Sequence, residues 1–271
     1  MLGIVLALGV QTVGAQGTVD RAKVLRAAAD ALGMVRWSDI GTNETRLPGI
    51  DIVNTMEFQG SGTIDSGGRA ITADYHVALG YNPAAMRVEV GKKDSTPHTI
   101  HTVRDNFAWD ESEIGGGLVP GKGTATPTNA AAQQRLLELW TLPYGVVKAA
   151  LVAGDKTMVS TEGGATVLTF PLSGALAGVT VKATLDSKNL VTKVETRPDN
   201  PARAILATQT EYSNYADRAE VLTDIKTPGR IVRKQGGRTL LDVQVKSWET
   251  NDPYLVFPVP ANVKAAAPAS R

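Results

Sequence analysis

The residues that could bind a metal are three histidines, His76, His98 and His101. His98 and His101 lie three positions apart in a strand-like stretch. Because side chains of a strand alternate between its faces, an odd separation places these two on opposite faces. Asp74 and His76 can share a face, but two ligands are fewer than a zinc site takes. The sequence therefore predicts ordinary structural histidines and no metal site.

Nucleophilic and acid–base chemistry has little support. The chain has no cysteine, which excludes thiol nucleophiles and Cys-based metal sites. The serine of Gly60-Ser61-Gly62 lacks the strand-to-helix turn of a hydrolase nucleophile, and the Gly-rich segment 115–123 lacks the Lys-Ser/Thr ending of a phosphate loop. The acidic residues of one predicted hairpin are more typical of solvated charges than of paired carboxylates: Asp105, Asp110, Glu111 and Glu113. We therefore expect no enzyme activity and no cofactor.

Apolar and aromatic residues are better candidates for a binding site. Trp109 lies in a predicted strand and Trp140 at the junction of two predicted helices. In the ordinary interpretation, each tryptophan anchors the core. In the alternative interpretation, both lie with Met86 and Val88 around a cavity between sheet and helices, since apolar walls suit an acyl chain. Inward-facing residues of two predicted hairpins complete the candidate ligand-binding set: Val181, Leu185, Leu241 and Val243.

Composition is compatible with binding an apolar partner. Of 271 residues, 42% are apolar and 20% charged, which suffices for the core of one globular domain. Lys and Arg number 28 against 27 Asp and Glu, so no basic field attracts nucleic acid. We therefore expect no nucleic-acid partner, and the apolar walls described above would suit a hydrophobic small molecule.

The N-terminal segment predicts export. An apolar run from Leu2 to Val10 is followed by Val13-Gly14-Ala15, which fits the small-residue rule for signal peptidase. The run is shorter than the ~20 residues of a membrane span. No Lys or Arg precedes it, which indicates a start placed too late. We expect a clipped signal peptide over residues 1–15 and a periplasmic or secreted product without a membrane span.

Three helices are predicted from the apolar spacing. They cover residues 18–33, 129–140 and 141–154 and begin at the candidate caps Thr18, Asn129 and Thr141. Each has one apolar side, so each must pack against another apolar surface.

Short alternating stretches bounded by Gly, Pro, Asn or Asp fill most of the remaining chain, a pattern typical of antiparallel meanders. Turns at 186–189 and 235–237 mark two hairpins. The predicted fold is mainly β (α+β): a large curved antiparallel sheet, an open half-barrel of about 11–12 strands, with helices packed on its concave side. We expect one domain over residues 16–263 and a disordered tail over 264–271.

Two parts of the sequence resemble known families. Residues 135–150 read RLLELWTLPYGVVKAA. They resemble the W-x-x-P-x-G-x-x-K-A-A segment of an exported bacterial domain that precedes metallo-β-lactamase-fold hydrolases. The later segments are similar to the LolA/LppX/LprG-like half-barrel family, at residues 212–215, 228–232, 241–243 and 259–263.

This resemblance spans roughly residues 27–263 and implies a half-barrel that carries lipids or lipoproteins through the periplasm or cell wall. The H-x-H-x-D-H motif of the associated hydrolases does not occur in the sequence. Two functions stay open at this point. The first is an exported, non-catalytic protein that holds a lipid, lipoprotein acyl chain or other apolar ligand between sheet and helices. The alternative is an accessory or interaction domain associated with a metallo-β-lactamase-like hydrolase whose catalytic domain is absent from this chain. The expected partners are a hydrophobic small molecule or an acylated protein in the first case and a hydrolase or an envelope protein in the second.

Overall fold

A computed structural model describes residues 20–35, 53–91, 98–200, 205–217 and 225–266. The predicted signal peptide lies outside these ranges. The predicted tail begins inside a short helix, Ala261–Ala265, and its residues beyond 266 also lie outside the described part of the chain.

The dominant element of the described chain is a curved, open antiparallel sheet of thirteen strands. Its first half is a meander: β1 (Thr55–Ser66), β2 (Arg69–Tyr81), β3 (Ala84–Val90), β4 (Thr99–Arg104), β5 (Phe107–Glu111) and β6 (Ala125–Pro127). Its second half contains β7 (Met158–Glu162), β8 (Ala165–Pro171), β9 (Val179–Leu185), β10 (Val191–Pro198), β11 (Gln209–Ser213), β14 (Arg230–Gln235) and β15 (Arg238–Thr250). Between β11 and β14 the chain forms a separate two-stranded ribbon, β12 (Ala216–Asp217) with β13 (Lys226–Thr227).

The two halves join where β1 pairs with β15, so β6 and β7 are the outer edges of the sheet. The helices are α1 (Arg21–Ala31), α2 (Ala132–Trp140), α3 (Pro143–Ala153) and α4 (Ala261–Ala265). Because α2 and α3 lie between β6 and β7 in sequence, the chain travels from one edge to the other along the concave side of the sheet. The predicted fold class is confirmed.

The sheet has an inner face, which is the concave side that carries α2 and α3, and an outer face. Strand pairing aligns one buried inner row across five strands: Met56, Leu79, Met86, Val103 and Ala108. The outer face of β2 to β6 is covered by the segment that follows β15, residues 251–266, which we call the C-terminal strap. Its Phe257 packs on Ala78 and Ala85, and its Val263 packs on Trp109.

Two Gly-rich segments lie in or next to strands. Strand β6 begins shortly after the Gly-rich segment 115–123. Strand β1 runs through Gly60-Ser61-Gly62 to Ser66, with a register shift between Gln59 and Gly60. A Cβ atom at Gly60 or Gly62 would collide with the backbone of β15. These glycines therefore permit close strand approach rather than a turn.

All three predicted helix caps differ from the structure. Asn129 begins a short 3-10 helix, and its side-chain oxygen accepts a hydrogen bond from the backbone N–H of Ala108. Asp20, not Thr18, caps α1, since its carboxylate accepts hydrogen bonds from the backbone N–H groups of Ala22 and Lys23. Thr141 does not cap α3. Its hydroxyl donates to the carbonyl of Leu137 at 2.8 Å, and α3 instead begins with a proline at its first turn.

Among the described residues, no single helix is long and apolar enough to cross a bilayer. Only the pair 129–140 and 143–156, taken together across a 96° bend, reaches that length and composition.

Candidate ligand cavities beside helix α2

Helix α2 separates two cavities between the sheet and the helices. Leu136 and Trp140, one turn apart on one side of α2, line a cavity of about 320 Å³. Gln134 and Glu138, one turn apart on the opposite side, line a cavity of about 250 Å³. We call the first the Trp140 cavity and the second the Met86 cavity, after the residue on its sheet side.

The Trp140 cavity has an apolar interior and a polar mouth. Its apolar wall comes from α2, α3 and the connection between β8 and β9: Leu136, Trp140, Ala149, Val152, Leu172 and Leu176. All of these except Trp140 and Val152 are buried. The mouth consists of the exposed polar residues Asp105 and Asn106, at the turn between β4 and β5, and Ser173, together with exposed Gly174 and the apolar Val152, which is 71% exposed. The Trp140 ring is held against Tyr81, with centroids 5.6 Å apart.

The Met86 cavity is smaller and more polar. Met86 and Val88 of β3 form its sheet side, and His101, Arg135 and Glu138 surround it. Both charged helix residues are already engaged within the protein, as their contacts show. This cavity therefore has no free ionic group to offer a ligand.

Arg135 fastens α2 to the edge of the sheet. Its guanidinium donates to the backbone carbonyls of Thr102 at 2.9 Å and Trp109 at 2.8 Å. It also donates to the Asp110 carboxylate at 2.5 Å. Asp110 lies 2.8 Å from His101 Nδ1 as well. The helix is thus tied to β4 and β5 by one charge-assisted network.

Glu138 fastens α2 to the middle of the sheet through Arg233 of β14, with Oε2 and Nη1 2.8 Å apart. Arg233 is 8% exposed. Burial works against its charged form, but the adjacent Glu138 carboxylate outweighs burial and raises the pKa of Arg233. Burial raises the pKa of the neighbouring Tyr75 to about 12 although Arg233 opposes the shift. Tyr212 donates its hydroxyl proton to the Thr141 carbonyl at 2.7 Å.

The Asp110 network predicts a pH dependence of stability. Burial raises the pKa of Asp110, but its hydrogen bonds and charge contacts with His101 and Arg135 outweigh burial and leave the pKa lowered. A carboxyl whose pKa is lowered by folding stabilises the fold above its unfolded pKa, ~3.9, and loses that contribution as the pH falls through the folded value. We expect Asp110→Asn to lower the urea midpoint at pH 7. Between pH 5 and pH 2.5 the variant should then lose less unfolding free energy than the parent does, because it lacks the carboxyl that becomes protonated.

The control for this experiment is Glu249→Gln, which removes an exposed carboxylate of β15. This variant should lose as much unfolding free energy on acidification as the parent does. An Asp110→Asn variant with the parent's full acid-induced loss would contradict the assignment.

The predicted site residues do not line one common cavity. Met86 and Val88 line the Met86 cavity, while Trp140 lines the other. Four predicted residues are fully packed in the main core and line neither cavity: Val181, Leu185, Leu241 and Val243. All four are between 0% and 4% exposed and belong to the hydrophobic core.

Trp109 lies on the opposite side of the sheet, so its placement beside Met86 is corrected. Ala108, the preceding residue of β5, belongs to the inner core, which directs Trp109 outward. There it is 1% exposed and packs against Val263 of the C-terminal strap. Its indole N–H donates to Glu111 Oε1 at 2.9 Å. Trp109 therefore packs as a buried anchor, in agreement with the interpretation that the tryptophans anchor the core, and the segment it anchors is the C-terminal strap.

The histidines lie as their spacing predicted. His98 lies on the outer face, 2.8 Å from Glu89, and His101 lies on the inner face with Asp110. His76 is near Glu57 and Glu89 at 3.5 and 3.7 Å. Within the described part of the chain, no group of three or more His, Asp or Glu side chains is arranged to hold a metal ion.

The cavity residues that the sequence did not indicate come from distant parts of the chain. Leu172 and Leu176 follow β8, and Ala149 lies in α3. The helical spacing predicted that Ala149 would be in α3, but no sequence signal brought the connection after β8 to the same cavity.

Comparisons with known proteins add likenesses of fold. No family model and no curated protein matches the sequence. The chain is similar to a domain described as an outer membrane lipoprotein-sorting protein from Vibrio parahaemolyticus, with 10% identity and a TM-score of 0.48 over 85% of this chain and 93% of that one. It is also similar to a LolA superfamily protein from Nitrosomonas europaea, with 9% identity and a TM-score of 0.42 over 84% and 94% of the two chains.

A third similar structure is a DUF1329 family protein from Desulfovibrio piger, with 9% identity and a TM-score of 0.45 over 87% of this chain and 94% of that one. At these identities the likeness concerns the fold alone. One of these structures carries the LolA name of the family that the sequence resembles.

Proposed function

We propose that this protein is an exported, non-catalytic binding protein that holds a lipid, a lipoprotein acyl chain or another apolar ligand between its sheet and its helices. The observation that supports this proposal is the Trp140 cavity, with its apolar interior and its exposed polar mouth. At about 320 Å³ it falls at the lower end of the ~300–1,000 Å³ of small-ligand pockets. Export rests on the predicted signal peptide. The accessory-domain alternative stays an untested prediction of the sequence.

The binding step needs no catalytic group. Each methylene moved from water into an apolar cavity contributes about 0.8 kcal/mol. A chain of about eight methylenes would therefore supply about 6 kcal/mol before the entropy cost of association. Such a driving force gives reversible binding, which suits a carrier that must also release its ligand.

The experiment uses a neutral fluorescent probe, N-phenyl-1-naphthylamine, and two variants that fill one cavity each. Ala149→Phe places a ring in the Trp140 cavity, and Ala131→Phe places one in the Met86 cavity. We expect Ala149→Phe to weaken probe binding about tenfold or more, because losing two methylene-sized contacts already costs that much. Ala131→Phe should bind the probe as the parent does.

Both variants are first checked for a parent-like urea midpoint. Equal probe affinity in Ala149→Phe and the parent would contradict the location of the site. Absence of probe binding to the parent, together with native mass spectra that show no co-purifying lipid, would contradict the function itself.

A further inference from the structure

The polarity of the Trp140 cavity changes along its length. Its inner end is made by buried side chains, among them Leu136, Leu172 and Leu176. Asp105, Asn106 and Ser173 lie at the exposed end and carry a carboxylate, an amide and a hydroxyl. A ligand that fits both ends has an apolar tail and a head that forms hydrogen bonds.

The only ionisable side chain among the described residues that line this cavity is Asp105. Its neighbour Arg104 does not turn the mouth positive. The Arg104 guanidinium donates to the Phe257 carbonyl of the C-terminal strap at 3.0 Å, which places it on the outer face. Its Nε atom is 3.7 Å from the Asp105 carboxylate. The mouth thus presents hydrogen-bond acceptors to an incoming head group, and its one carboxylate is already paired with Arg104.

The size of the cavity limits the tail. At roughly 30 Å³ for each small group, about 320 Å³ holds about ten methylene-sized groups. That is room for one chain of medium length and not for two. A longer chain would extend past the mouth into water.

We infer that the Trp140 cavity selects uncharged single-chain amphiphiles, such as fatty alcohols and monoacylglycerols, over fatty acid anions of the same length. The inference rests on the proposed function and adds the class of ligand. The hydroxyls of an uncharged head donate to the Asp105 carboxylate and exchange hydrogen bonds with Asn106 and Ser173. The carboxylate of a fatty acid meets Asp105 at the same place, and the neighbouring Arg104 is already engaged by Asp105 and by the Phe257 carbonyl.

The test is displacement of N-phenyl-1-naphthylamine at pH 8 by monodecanoylglycerol and by decanoate. We expect monodecanoylglycerol to displace the probe about tenfold better than decanoate does. In Asp105→Asn the difference should narrow to about threefold through tighter decanoate binding, since one like charge is removed. Asn106→Asp adds a charge at the mouth and should widen the difference.

The variants are chosen to keep the fold. Asp105 has φ 51°, a conformation that asparagine also adopts readily, so Asp105→Asn keeps the turn between β4 and β5. Glu249→Gln removes an exposed carboxylate away from the cavity and should leave the selectivity unchanged.

Each outcome separates the inference from the function beneath it. Probe binding with decanoate equal to or better than monodecanoylglycerol would overturn the inference and leave the proposed function standing. Selectivity that is the same in Asp105→Asn and the parent would overturn the role of Asp105. No probe binding to the parent would overturn both.

Discussion

Replacing Glu138 by glutamine is expected to cost about 3 kcal/mol of unfolding free energy. The reason is the charge that stays behind. Arg233 is 8% exposed and projects from the inner face of β14 into the core. Without the Glu138 carboxylate, the positive charge of Arg233 would be buried with no opposite charge beside it. Breaking a buried ion pair in this way costs about 3–5 kcal/mol of unfolding free energy. Partial exposure of Glu138 places our expectation at the lower end of that range.

The measurement is urea unfolding of the parent, Glu138→Gln, Arg233→Met and the double variant Glu138→Leu with Arg233→Met. Replacing both members removes the uncompensated charge, so the double variant should return to within about 1 kcal/mol of the parent. Glu162→Gln is the matched control, since Glu162 forms its ion pair with Lys182 on the surface. This control should leave the midpoint almost unchanged.

A loss below about 1 kcal/mol in Glu138→Gln would show that the pair is solvated. In that case α2 would be held to the sheet mainly by Arg135 and by apolar packing.

Replacing Trp109 by alanine is expected to cost about 3–5 kcal/mol, the usual range for deleting a large buried aromatic side chain. The cavity left behind would lie between β5 and the C-terminal strap, where Trp109 contacts Val263. The substitution also removes one donor from the buried Glu111 carboxylate, which keeps hydrogen bonds from the Thr102 hydroxyl and the Gly115 backbone N–H. An under-satisfied buried carboxylate adds to the loss.

The same residue tests which face binds ligand. Trp109→Phe keeps much of the packing and should lose about 1–2 kcal/mol with the indole hydrogen bond. Because Trp109 lies on the outer face, probe affinity of Trp109→Phe should equal that of the parent. A large loss of probe affinity in a folded Trp109→Phe protein would contradict the placement of the ligand on the inner face.

Alternation of residue types sufficed to predict much of the sheet. In β9 the pattern of apolar residues at every second position matches the pattern of buried residues without exception. Alternation also predicted correctly that His98 and His101 lie on opposite faces of the sheet. Such predictions succeed where one face of a strand is buried and the other is in contact with water.

The prediction failed for Trp109 because both faces of β5 are covered. Ala108 is buried by the inner core and Trp109 by the C-terminal strap, so burial does not alternate there. The strap has little regular structure of its own, and its role depends on contacts with strands far away in sequence, such as the 2.7 Å hydrogen bond from Asn262 to the Ala125 carbonyl. Periodicity within a short window cannot detect such long-range cover.

The cavities could be predicted only in part. Met86 and Val88 were found because β3 alternates clearly, and Trp140 because it ends an amphipathic helix. By contrast, Val181 and Val243 have the same inward alternation and lie in filled core. Whether an inward residue meets a cavity depends on how α2 and α3 lie across the sheet, and residue spacing along a strand does not contain that information.

The most direct test of the central claim is photolabelling with a decyl alcohol that carries a diazirine near the end of its chain, followed by peptide mapping. The account predicts saturable labelling of α2, α3 and the connection after β8, near Leu136, Ala149 and Leu176, and loss of that labelling in Ala149→Phe. Labelling mainly on the outer face or the C-terminal strap, or labelling that excess decanol does not displace, would contradict it.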